Sequence, residues 1–189
     1  MAIDKVTSAS ITTDAVGPTQ LNEASNYAFT GTVTGAGETN APSFSTSITS
    51  NQDITNNADV KVAFATEQYD TGSDFNTTDY KFVAPSAGKY FFSTMVVAQA
   101  EGTLFSNAYV KFKINGSNKQ IPFWYGGGAS TNIFSSIKYL PMSLTCCYNL
   151  SASDYVEVFV YLAKSAGSGT HVIFVTEVYI HFSGFKISS

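Results

Sequence analysis

The chain has 189 residues, the length of one ordinary domain with an extension. Charged residues make up only 13% of it, all ten basic residues are lysine and the net charge is −4, so no cation cluster can displace counterions from nucleic acid and no arginine can clamp a phosphate. An apolar share of 44% excludes wholesale disorder, no apolar run reaches the roughly 18 residues of a membrane span, and the opening MAIDKVTSAS has neither the basic nor the apolar region of a secretory leader.

Residues 1–43 are rich in Thr, Ala, Gly, Ser and Asn. They hold one short alternating run, YAFTGTV, with Tyr27, Phe29 and Val33 as its large side chains. Such a segment cannot form a core alone, and it reads as an extended N-terminal arm anchored by those three residues. From Phe44 the pattern changes to strands. In YKFVAPSAGKYFFS, Pro85 ends one strand because it has no N–H to give a ladder. Gly88 permits the reversal, and Tyr90 and Phe92, two apart, share one side. AYVKFKI puts Val110, Phe112 and Ile114 on one face and Lys111 and Lys113 on the other, and Asn115-Gly116 then signals a hairpin. GGG at 126–128 is a turn, with no following GK[ST] to make it a phosphate loop. The adjacent Cys146 and Cys147 read as two reduced thiols, one inward and one outward, because strand neighbours point to opposite faces. DYVEVFVYL directs Val156, Val158, Val160 and Leu162 to one face. HVIFVTEVYIHF, taken as one strand, directs Val172, Phe174, Val178, Ile180 and Phe182 inward. No segment has a helical period, so the fold class is all-β, a sandwich or barrel over residues 44–189.

The second faces are unusual. They carry Tyr155, Glu157, Phe159 and Tyr161 on one strand and His171, Ile173, Val175, Glu177, Tyr179 and His181 on the last. Rings on both faces suit a chain that packs against copies of itself.

Little catalytic chemistry is on offer. No GxSxG elbow is present. His171 and His181 have the same parity and would lie ~33 Å apart on one unbroken strand, too far to share a metal. Glu67, Asp70, Asp74 and Asp79 are expected to be solvated loop carboxylates without a calcium-loop spacing. Phe123, Trp124 and Tyr125, beside the GGG turn, are the candidate contact for a sugar ring or a partner.

Tyr80, Phe82, Pro85, Gly88, Tyr90 and Phe92, then Leu150, Asp154, Val156 and Val158, then Phe182-Ser183-Gly184-Phe185 resemble, in order, motifs of the C1q/TNF-like jelly-roll head. EQYDTGSDFNTTDYKF resembles the region before them in bacteriophage and bacterial copies of that head, whereas IPFWYGGGASTNIF departs from the pattern. The resemblance covers residues 44–189. It implies a ten-stranded jelly roll forming a homotrimer, and so a trimer seam at Tyr155, Phe159, Tyr161, Tyr179 and His181. Residues 1–43 are similar to leaders on structural proteins of marine tailed phages, especially those of cyanobacteria. Together these resemblances imply a virion structural protein made in the host cytoplasm: a trimeric capsid fibre or decoration (cement) protein, held to other virion proteins by the arm. The alternative is the receptor-binding tip of a tail or neck fibre, recognising a host surface glycan through Phe123, Trp124 and Tyr125. Neither reading involves catalysis, a cofactor, a metal, nucleic acid or membrane insertion.

Overall fold

The computed structural model describes residues 42–100, 103–126, 138–167, 171–175 and 180–188. The arm residues Tyr27, Phe29 and Val33 therefore lie outside the described residues, as does Tyr179. In chain order the described strands begin with β1 (Ser43–Ser47), β2 (Gln52–Ile54), β3 (Asp59–Lys61), β4 (Thr66–Asp70), β5 (Phe75–Asn76) and β6 (Lys81–Val83). They continue with β7 (Gly88–Ala100), β8 (Thr103–Ile114), β9 (Ser117–Gly126), β10 (Tyr139–Leu150), β11 (Tyr155–Gly167), β12 (His171–Ile173) and β13 (His181–Ser188).

Two antiparallel sheets result. The β7 sheet runs β10–β7–β13–β1–β4, and β12, backed by β2, takes over from β13 along the same edge of β7. The β11 sheet runs β9–β8–β11, with β6 and β3 sharing the far edge of β11 and β5 beyond β6. β1 lies beside β13 from the opposite end of the domain. That crossing between first and last strands is the wiring of a jelly roll.

The core fills the space between the sheets. Phe44 stacks on Phe82 at 4.9 Å and meets the edge of Phe182 at 5.0 Å, while Phe92 lies 6.1 Å from Phe112 of the other sheet. These offset and edge-on arrangements are the ones the ring quadrupoles favour. Tyr90 is fully buried with Phe92, and its hydroxyl donates to the Ser86 carbonyl at 2.7 Å. The Asn115-Gly116 turn joins β8 to β9 with φ values of 52° and 73°, the left-handed pair that a type I′ hairpin needs. Gly88 has φ 154°, and a side chain there would collide with the Ser188 carbonyl.

The stretch 171–182 corrects the sequence reading. It is not one strand. β12 pairs Ile173 with Ala98, and β13 pairs His181 with Met95. A continuous antiparallel strand would need two residues between them, opposite Val97 and Val96; seven are present, 174 to 180. The surplus of five is odd, so the parity inverts across the break. His171 and Ile173 therefore face the core, and His171 stacks on Phe105 at 5.0 Å. Phe174 packs on Tyr139 instead, at 5.1 Å. The two histidines sit five positions apart along β7, about 17 Å, on opposite faces.

Gly184 faces inward beside Phe182. A Cβ there would come within 2.6 Å of the Phe92 ring and 2.9 Å of the Phe44 ring. Gly184→Ala should therefore overpack the aromatic core and cost about 1–3 kcal/mol, read as a lower denaturation midpoint with an unchanged slope.

Candidate functional site

The two sheets present outer faces of opposite character. On the β11 sheet, Lys61 pairs with Glu157 at 2.5 Å, Lys111 with Asp59 at 2.5 Å and Lys113 with the same Asp59 carboxylate at 3.6 Å. The rings lie among them. The Lys113 ammonium is 3.7 Å from the Phe159 centroid, and that of Lys81 is 5.3 Å from Tyr155. Tyr161 stacks on Tyr109 at 4.8 Å with the rings nearly parallel, and its hydroxyl donates to the Asn57 side-chain oxygen at 3.3 Å. Each ring that β11 sends outward is thus engaged by its own chain.

Lys111 is the unusual member. Its parity is outward, yet its side chain is only 2% exposed. Burial by itself would raise the Asp59 carboxyl, but the hydrogen bond and charge of Lys111, with Tyr109 and Lys113, outweigh that and hold it below the usual carboxylate value. Burial, then the Asp59 charge and hydrogen bond, push the Tyr109 phenol up to about 12.

The β7 sheet differs. From β10 through β7 and β13 to β1, Lys89 at one end is the sole charged side chain among the described outward positions. A row of small hydroxyls runs across it: Thr145, Ser93, Ser183 and Ser45 lie in one register. Apolar groups stand among them, with Phe91 and Phe185 5.3 Å apart. All four exposed large hydrophobic residues among those described belong to this sheet: Tyr69 at 52%, Tyr139 at 42%, Phe185 at 41% and Ile187 at 48%. His181 sits here too, its Nε2 3.4 Å from the Ser93 hydroxyl.

The structure thus divides the residues that the sequence grouped as one seam. Tyr155, Phe159 and Tyr161 lie on the β11 sheet and His181 on the β7 sheet. Phe123, Trp124 and Tyr125 belong to strand β9, where their backbones pair with Val110, Tyr109 and Ala108; their side chains lie outside the described residues. Among the described residues no three His, Cys, Asp or Glu side chains gather as metal ligands, and no helix is long and apolar enough to cross a membrane. Cys146 packs against the core and Cys147 is exposed on the outer face of β10. Sequence reasoning missed Tyr69, Tyr139, Phe185 and Ile187. They lie on three strands, β4, β10 and β13, and become one surface only once the sheet pairing is known.

No family model and no curated protein sequence matches the chain. Solved structures do. The globular domain of zebrafish complement 1qA is similar with a TM-score of 0.53 and 18% identity, covering 77% of this chain and 97% of that one. Murine APRIL at pH 5.0 is similar with a TM-score of 0.50 and 10% identity, covering 77% and 98%. The fold is a C1q/TNF-like jelly roll.

Two outcomes follow from the buried ionisable groups. Asp59→Ala strands the buried Lys111 ammonium and should cost about 3–5 kcal/mol, whereas Lys111→Met leaves Asp59 its water-facing side, Lys113 and the Tyr109 hydroxyl and should cost less. Urea denaturation of both variants at pH 7 makes the comparison. The second concerns His171, which is 2% exposed and whose Nε2 has no hydrogen-bond partner among the described residues. Burial, and secondarily Lys164, hold its pKa below the ordinary value. The unfolded chain then takes up a proton first, so this stability is complete above about pH 6.5 and is lost as pH falls toward the folded-state pKa. His171→Phe should flatten the stability profile between pH 7.5 and 5.5, leaving the slope that His181 contributes, since burial lowers its pKa too.

Proposed function

We propose that the chain is a structural protein of a tailed-phage virion: a non-enzymatic, homotrimeric fibre or decoration head, tethered to other virion proteins by residues 1–43. The observation that carries the self-association is the contrast between the two outer faces. One is settled by its own ion pairs; the other exposes Tyr139, Phe185 and Ile187 on a stretch nearly without charge, with Tyr69 on the flanking strand β4 beside Glu67 and Asp70. Exposed apolar surface of that extent is where a partner packs. The uncharged row opposes no like charges when a second copy approaches, so a copy of the same chain is a compatible occupant. On this reading the seam lies on the β7 sheet, with His181 in it and Tyr155, Phe159 and Tyr161 outside it. The virion assignment is supported by the likeness of the arm to phage structural leaders, and the threefold stoichiometry by the likeness of residues 44–189 to the trimeric head.

Light scattering on the full chain should report a mass near three times 20.2 kDa at micromolar concentration. Phe185→Lys combined with Met95→Glu places charge on the face and should give a folded monomer. A wild-type chain that stays at 20.2 kDa refutes the reading. A chain lacking residues 1–43 should still form trimers but no longer join particles, and incorporation of that truncated chain would refute the arm's role.

A further inference from the structure

Two neighbouring segments and one turn distant in sequence meet around a cleft of ≈ 580 Å³. One wall comes from the β4–β5 loop and its continuation: Ser73, Asp74, Asn76 and Thr77. The other is the strip Val83, Ala84 and Pro85 at and beyond the end of β6, and Ser153 of the β10–β11 turn completes it. Backbone bonds fix these walls to each other. The Val83 N–H donates to the Asp74 carbonyl at 2.8 Å, the Ser153 N–H to the Ala84 carbonyl at 2.7 Å, and the Ala84 N–H to the Asp154 carbonyl at 2.8 Å. Ser73 and Ser153 both hold left-handed backbone, φ 56° and 71°. The cleft is therefore preformed, and a ligand would not bear the cost of ordering it.

Its polar groups are unequally occupied. Both Asp70 oxygens beside the cleft accept backbone N–H groups, from Gly72 and Phe75. The Asn76 side-chain oxygen accepts from the Thr78 and Asp79 N–H groups. The Asp74 carboxylate has no hydrogen-bond donor among the described residues; it lies over Gly72, where a methyl would collide with it. Burial, and then the neighbouring Asp70, raise its pKa, the response of a carboxylate that lacks a partner.

We infer that this cleft binds a neutral saccharide, with Asp74 accepting from two adjacent ring hydroxyls and the Val83–Pro85 strip receiving a C–H face of the ring. A carboxylate offers two acceptor oxygens, and the Ser73, Thr77 and Ser153 hydroxyls can both donate and accept, which matches a polyol. A small set of placed polar groups beside apolar surface is the ordinary make-up of a small-molecule site of this volume. Among the described residues no cation lines the cleft; Asp74 lines it and Asp70 lies beside it, so phosphorylated, sulfated and sialylated ligands are repelled. A hard metal ion would need more oxygen ligands than this half-apolar wall supplies.

The full chain is tested on immobilised neutral oligosaccharides of glucose, galactose, mannose and rhamnose beside sialylated and sulfated ones, with calcium and lysine methyl ester as soluble competitors. Binding to a neutral member is expected. Asp74→Asn should weaken it at least tenfold with an unchanged or raised thermal midpoint, since the repulsion by Asp70 goes. Thr77→Arg, which fills the cleft from an exposed turn, should abolish it. Three results overturn the inference: no neutral glycan bound, binding confined to anionic glycans or displaced by calcium or the amine, or wild-type affinity in both variants. The cleft lies within one chain, so a monomer that binds sugar would refute self-association and leave this site standing.

Discussion

Strand β7 hydrogen-bonds to three partners, β10 along one edge and β13 then β12 along the other. Its two-residue pleat decides what the whole sheet buries and what it shows. Tyr90, Phe92, Thr94, Val96 and Ala98 go inward; Phe91, Ser93, Met95 and Val97 go outward. Both sets are largely apolar. A slip of one residue would exchange them at small hydrophobic cost, so the pattern of apolar residues alone does not hold the register. Other features do. Gly184 leaves the space that the Phe92 and Phe44 rings occupy. The buried Thr94 hydroxyl donates to the His181 carbonyl at 2.8 Å, and that of Thr46 to the Phe182 carbonyl at 3.0 Å. If β7 slipped against β13 the Thr94 hydroxyl would lose its partner, as the Thr46 hydroxyl would if β1 slipped against β13, and an unsatisfied buried hydroxyl costs ~1–3 kcal/mol.

This explains which parts of the fold were legible in the sequence. β8 and β11 were plain, because Lys111, Lys113 and Glu157 mark one face as polar and the valines mark the other. The Asn115-Gly116 turn and the Pro85–Gly88 reversal were plain because their backbone chemistry is local. The 171–182 stretch was not. Every residue from Val172 to Val175 is apolar, so alternation carried no phase there, and the break after β12 left no glycine or proline to mark it. The candidate surfaces were less legible still. Lys111 and Asp59 are 52 positions apart, and the Asp74 cleft gathers two neighbouring segments and a distant turn spread over 81 residues. Neither arrangement leaves a periodic trace.

The scarcity of charge has a structural counterpart. Among the described strands, the lysines and carboxylates concentrate on the outer face of the β11 sheet, where they pair with each other and cover the rings of Tyr155 and Phe159. A sheet facing water is normally finished in this way. The β7 sheet lacks that finish. Its serines and threonines keep the surface flat instead of covering its rings.

The magnitudes bear on how such a face would be covered. Each of Tyr69, Tyr139, Phe185 and Ile187 is about half exposed, so burying the remainder contributes about 1 kcal/mol apiece. Four side chains together give roughly 4 kcal/mol per subunit, which only reaches the lower end of the cost of association, about 4–15 kcal/mol. The large rings alone are therefore an insufficient seam. A contact of copies on this face would have to extend over the hydroxyl row of Ser45, Ser93, Thr145 and Ser183 and over Met95 and Phe91 on either side of it. Small side chains suit that role, because they allow a neighbouring subunit to approach closely and their hydroxyls can find partners across the contact. A larger charged residue in that row would hold the copies apart, which gives the missing charge on this face a physical purpose.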